Sequence, residues 1–128
     1  MKGLLLYHSP RKLNVKLTSI RDIERDLPQL LERFIVDART FSMPDGHSYD
    51  IWFDDNFLSN RGARPSFYVP ETKDILCGRC FILRHDEDKM LSSSIPSDEV
   101  LPLVHFMQDT IFPGLTQALK ELRAGGVA

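Results

Sequence analysis

Apolar and polar positions recur with two different periods along this chain, and the switches between them mark out its elements. Lys2 to His8 carries Leu4, Leu5, Leu6 and Tyr7 in a row, a short apolar run that predicts a buried strand. Ser9-Pro10-Arg11-Lys12 has the composition of a turn. Leu13, Val15 and Leu17 then alternate with Asn14, Lys16 and Thr18, which predicts a half-buried strand paired with the first in an N-terminal hairpin. The period then lengthens. Ile20, Ile23, Leu27 and Leu30/Leu31 fall at helical spacing, with Arg21, Asp22, Glu24 and Arg25 on the other side. Thr18 or Ser19 supplies a cap for this helix, and Pro28 kinks it or ends its first segment. Charges of both signs at adjacent positions read as a solvated face.

Strand periodicity returns at Phe34, Val36 and Ala38, set against Ile35, Asp37 and Arg39. Met43-Pro44-Asp45-Gly46 is a strong turn signal, and Ser48 to Phe53 alternates again, so a second hairpin is expected. Residues 58–71 are polar and irregular and read as a loop. The densest apolar run, Asp74 to His85, reads as a core strand over residues 77–84, followed by a charged turn and a short edge strand within Met90–Ile95. Ser97-Asp98-Glu99 opens a helix with a capping residue and acids in its first turn. Its apolar face is Val100, Leu103, Val104, Met107 and Ile111, and Pro102 is tolerated near its start. Phe112-Pro113-Gly114 breaks or bends it, and Leu115, Ala118, Leu119 and Leu122 form a last amphipathic segment. The predicted fold is α+β: a mostly antiparallel sheet of about five strands, with two or three helices packed on one face.

Composition narrows the class. The 128 residues suit a single domain spanning the chain, with a core over about residues 1–110 and a C-terminal helix over about residues 113–124. Hydrophobic content of 42% and charged content of 27% are those of an ordinary soluble domain. A net charge of -2 argues against nucleic-acid binding by bulk electrostatics, though not against a local basic patch. Two cysteines three positions apart are not a secreted disulfide framework, which points to a reducing, cytoplasmic setting. The Gly3–Tyr7 run is too short for a signal peptide or a membrane span.

The candidate chemistry is sparse. Cys77-Gly78-Arg79-Cys80 has the gap of a zinc half-site or a dithiol motif, and Cys77, Cys80 and His85 match three ligands of a zinc knuckle. The fourth position is Met90, a thioether that zinc does not favour. Phe81-Ile82-Leu83 supplies no helix to stabilise a thiolate, and alternation along a strand would send the two thiols to opposite faces. The expectation is two small buried residues in a core strand, with no metal and no cofactor. Asp54-Asp55-Asn56 reads as a polar turn, since adjacent strand carboxylates diverge. The best binding surface is the loop carrying Asn60, Arg61 and Arg64 beside Phe67 and Tyr68, because guanidinium groups take phosphate or carboxylate and aromatic rings offer a stacking face. His8, His47, His85 and His105 are far apart in sequence, and His105 reads as a partly exposed helical residue. No Gly-rich phosphate loop, nucleophile elbow or His-Glu metal helix is present.

Several segments taken together carry a resemblance. They are Ile20, Ile23 and Leu30; Phe34–Val36; Asp45-Gly46; Asp50–Phe53; Asn60-Arg61; Asp74-Ile75-Leu76-Cys77-Gly78; Leu91-Ser92; and Ser97-Asp98-Glu99-Val100. Between Val15 and Met107 the chain resembles a family of small domains of unknown function carried by phages, plasmids and conjugative elements, mostly of Gram-positive bacteria. In that family the position of Cys77 is a small residue such as alanine. This chain lacks the family's glycine pair before the second-hairpin strand and adds a C-terminal helix. The resemblance implies a setting more than a reaction: a non-enzymatic protein of a mobile element that binds a host or element-encoded protein, for example one of a host defence system. A second reading is a nucleic-acid accessory protein using Arg61, Arg64, Arg11, Lys12 and Lys16. A third is a metal-dependent enzyme built from Asp54, Asp55 and histidines. A homodimer is compatible with all three, and a membrane partner with none.

Overall fold

The computed structural model describes residues 1–32, 36–54 and 64–125. β1 (Lys2–His8) and β2 (Leu13–Ser19) form the expected hairpin, with Leu5 opposite Lys16. β3 (Val36–Ser42) and β4 (Ser48–Asp54) form the second, closed by the Asp45-Gly46 turn. β5 (Pro65–Val69), β6 (Asp74–Cys77), β7 (Cys80–Asp86) and β8 (Leu91–Ser93) follow. The main sheet is antiparallel, in the order β2-β1-β7-β4-β3, with β8 paired to the second half of β7 beyond the end of β1. β5 and β6 make a separate two-stranded sheet. The fold is α+β, as the two periods predict.

The apolar runs that do not alternate lie at the centre of the main sheet. Leu4, Leu5 and Leu6 in β1 lie opposite Ile82, Phe81 and Cys80 in β7, and these six residues and Leu83 are buried. A strand reads as continuously apolar when both of its faces are covered. Leu4, Leu6, Cys80 and Ile82 point into the larger core, whereas Leu5, Phe81 and Leu83 point into a smaller one. The expected placement of helices on one face is therefore corrected. The C-terminal helix covers the larger core through Leu103, Met107 and Ile111, and α1 (Ile23–Leu30) covers the smaller through Leu27.

α1 is capped by Asp22 instead of Thr18 or Ser19, which belong to β2. The Asp22 carboxylate accepts from the Arg25 amide at 3.2 Å, and Asp26 returns the favour, accepting from the Arg21 and Asp22 amides at 2.8 and 2.9 Å. Orphan amides of the first turn are thereby satisfied. The Asp22 and Arg21 amides, with the Arg25 guanidinium, hold the Asp26 carboxyl down at about 2.

The C-terminal helix is continuous from Ser97 to Gly125, where a break or a bend at Phe112-Pro113-Gly114 was expected. α2 (Ser97–Phe106) leads through a π-helical turn (Met107–Ile111) into α3 (Phe112–Gly125). Proline lacks an amide proton and crowds the carbonyl one turn back. Just before Pro113 the helix widens, so that the Phe112 amide reaches the Met107 carbonyl, five residues earlier. The wider turn accommodates the ring without ending the helix. Pro96 stands at the N-cap without a side-chain bond, so Ser97 is the first helical residue and not the cap. Asp98 and Glu99 occupy the first turn as expected.

Glu99 ties this helix to the sheet. One of its oxygens accepts from the Tyr49 hydroxyl at 2.7 Å and from Arg84 Nε at 2.8 Å. The Arg84 guanidinium lies 5.6 Å from the centre of the Tyr49 ring. Burial and the neighbouring Glu99 raise the Tyr49 hydroxyl well above its ordinary pKa, so the phenol stays a proton donor.

Candidate functional site

β5 lies in the segment whose sequence reads as loop, and β6 at the start of the apolar run that reads as one core strand. A register shift between Pro65 and Phe67 bends β5 and interrupts its local periodicity. Adjacent residues on β5 face opposite ways, and that alternation separates the two aromatic candidates. Phe67 is wholly buried, its ring 5.1 Å from that of Phe41, so its expected role as an exposed contact is corrected: it is core. Tyr68 is half-buried and lies against α3. A Cβ on Gly114 would come within 2.9 Å of the Tyr68 ring. The missing side chain at 114 is what lets helix and hairpin close to this distance.

Beyond that contact a groove of about 450 Å³ opens between the hairpin and α3. Tyr68 and Ile75 form one wall and Ala118 and Leu122 the other, with Lys73 and Glu121 at the rim. Leu122 is 60% exposed. The two walls of the groove come from distant parts of the chain, Tyr68 to Ile75 and Ala118 to Gly125, so no local pattern announces it.

Arg64, the described basic candidate of this segment, lies at the opposite end of the hairpin from Lys73. Arg64 donates to the carbonyls of Ser9 and Pro10, the latter at 3.4 Å, on the turn that carries exposed Arg11 and Lys12. The neighbouring His8 shares its Nε2 with the Ser66 hydroxyl at 2.9 Å. Burial, then the positive charge of Arg64, lowers the His8 pKa below its ordinary 6.5. Asn60, Arg61 and Asp55 lie outside the described residues.

The cysteine motif does not form the single strand expected. Gly78, at φ +81°, turns the chain between β6 and β7, in a conformation that glycine adopts without a Cβ penalty. Cys80 is fully buried in the larger core and Cys77 is half-buried, both as free thiols. Burial raises the pKa of each, and Cys77 adds to the effect at Cys80. A raised pKa removes thiolate character, the opposite of what a redox or metal-binding cysteine requires. His85 lies on the other face of the sheet from Cys80, bound elsewhere. Among the described residues no group of three His, Cys, Asp or Glu side chains is placed to hold a metal ion.

His85 belongs to a polar row that sequence reasoning missed. Asp50, buried on β4, lies 3.0 Å from His85 Nδ1 on β7. It accepts from Thr40 Oγ1 on β3 and from Ser92 Oγ on β8, each at 2.7 Å. Trp52 Nε1 donates to Ser92 Oγ at 3.1 Å. The sequence signal was ambiguous because Asp50 alternates with Tyr49 and Ile51, the usual mark of a solvent-facing position. Only the cross-strand pairing shows that its neighbours are polar too. Both carboxylate oxygens are engaged, so the row acts as a tie across four strands and fixes which His85 nitrogen faces Asp50. The other described histidines go their own ways: His8 to Ser66, His47 to Asp45 at 3.3 Å and Glu99 at 3.6 Å, and His105 to an exposed position on α2. Asp54 is buried at the far end of β4.

Comparison with family models, curated proteins and solved structures returned no match. No described helix is long and apolar enough to cross a membrane.

Proposed function

We propose that this chain is a non-enzymatic binding protein acting by protein–protein contact, and that the groove between β5–β6 and α3 is its contact surface. One observation carries the reading. Tyr68, expected as part of a binding surface, and the amphipathic C-terminal helix meet in a single groove whose walls are Tyr68, Ile75, Ala118 and Leu122. An apolar strip between one cation, Lys73, and one anion, Glu121, suits an amphipathic segment of another protein. The setting on a mobile element rests on the sequence resemblance alone.

A nucleic-acid reading draws on one observation of its own: Arg64 is held against the turn bearing Arg11 and Lys12. Its guanidinium is, however, already donating to backbone carbonyls. The enzymatic reading required Asp54 and Asp55 to meet histidines. The described members of that set lie apart, and the His85 carboxylate partner is Asp50.

The test is an affinity capture from host lysate with three baits: the wild type, Leu122→Glu and the double variant Arg11→Glu/Lys12→Glu. Each is split into nuclease-treated and untreated halves. The reading expects a stoichiometric protein that survives nuclease, is lost with Leu122→Glu and is kept by the double variant. Loss with the double variant and with nuclease would instead favour the basic turn.

A further inference from the structure

The five-strand path of the main sheet ends in β2 on one side and β3 on the other, and these two edges are finished differently. An open edge presents unpaired amides and carbonyls that template another strand unless charges, prolines, bulges or covering groups blunt it. β3 is blunted. Side chains occupy two of its amides: Asp37 accepts from Ala38 at 2.8 Å, and Glu71, arriving from beyond β5, accepts from Ser42 at 2.9 Å. Arg39 adds ion pairs to Asp37 at 2.8 Å and to Asp74 at 3.8 Å. β2 is finished more lightly: Lys16 is its one charge, and the Thr18 hydroxyl donates to the Lys16 carbonyl at 3.2 Å. It runs seven residues, Leu13–Ser19, without proline or register shift, and among the described strands it pairs with β1 alone. Among the described residues no side chain takes a β2 amide proton. Leu17 is 48% exposed, and Leu13 and Val15 on the same face are only half-buried.

We propose that a second copy of this chain pairs with β2 along its own β2, antiparallel and centred on Val15, to form a two-fold dimer with one continuous sheet. The choice of occupant comes from the strand itself. An isologous contact must be complementary to its own reverse, and Leu13-Asn14-Val15-Lys16-Leu17 reads the same in both directions in apolar and polar terms. In this register Val15 faces Val15 of the second copy, Leu13 faces Leu17, and Lys16 faces Asn14. The two Lys16 ammonium groups are not directly opposed, whereas centring on Lys16 would oppose them and is disfavoured. The exposed Leu17 is covered, and the open ladder closes. The inference is independent of the groove, which lies on the hairpin and α3.

Sedimentation equilibrium between about 1 μM and about 1 mM chain tests it. The mass is expected to rise from 14.7 kDa towards twice that value, and Leu17→Lys, at an exposed position, weakens association at least about tenfold. In a Cys77→Ser background, Val15→Cys forms a disulfide-linked dimer under mild oxidation, and Thr18→Cys, which has no copy of itself opposite, does so far more slowly. A mass of 14.7 kDa at every concentration overturns the proposal. So does a dimer unaffected by Leu17→Lys, or equal cross-linking by the two cysteine variants.

Discussion

The two faces of the main sheet solve the same problem in different ways. On the face under the C-terminal helix, strands, hairpin and helix together bury fifteen of the described residues in one apolar cluster. On the α1 face only six form the core, because α1 has eight residues and cannot span five strands. Past its reach the face is completed by the Thr40–Asp50–His85–Ser92 row. Burying apolar area is non-directional and tolerates adjustment. A buried carboxylate holds only while each donor stays in place. The first face should therefore respond to lost volume and the second to lost partners.

The largest effect is expected from Leu103→Ala, which empties a fully buried site under a helix pinned by Glu99. Its cost lies towards the top of about 2–5 kcal/mol. Leu27→Ala, equally buried but on the short α1 that can settle onto the sheet, lies towards the bottom of that range. Urea denaturation of both variants decides it; equal losses would erase the distinction between the faces.

Next comes Asp50→Ala, which strands the donors of Thr40, Ser92 and His85 at a site 6% exposed. A loss of about 2–3 kcal/mol is expected, with the indole emission of Trp52 altered through its bond to Ser92. A stability change below about 0.5 kcal/mol would show the row to be ornamental.

Gly114→Leu is smaller in scale, at about 1–3 kcal/mol, since a side chain there must displace the Tyr68 ring. Its hallmark is weakened capture of any groove partner in a protein that remains folded. Unchanged capture would move the contact surface away from Tyr68.

The smallest expected effect is one of pH. The His8 pKa is lowered in the folded state, so the unfolded chain binds more protons as pH falls. Its contribution to stability is complete above 6.5 and is lost as pH falls through the lower folded value. His8→Gln should flatten the urea midpoint against pH between about pH 7 and about pH 5. An unchanged slope would assign that dependence to other groups.

Much of this architecture was legible because it is periodic. Leu13, Val15 and Leu17 announced β2, the turn at Asp45-Gly46 announced the second hairpin, and the apolar runs at Leu4–Leu6 and Phe81–Leu83 announced buried strands. The segment from Pro65 to Cys77 was not legible as a hairpin. Pro65, Pro70 and the register shift in β5 hide a period of two within five residues. The sequence left break or bend at Pro113 undecided for a related reason: a π-helical turn is a backbone answer to a clash, with no composition of its own.

The sequence by itself determined the α+β class, the two main hairpins and the apolar face of the C-terminal helix, because each depends on neighbours within a few residues. Tertiary structure alone decided that Phe67 is core while Tyr68 lines a groove. It also decided that His85 answers to Asp50 and not to the cysteines, and that among the described residues side chains occupy amides of β3 and none of β2. Each of these is set by which distant strand or helix arrives alongside, and the energy of such a contact is not written in the local pattern of either partner.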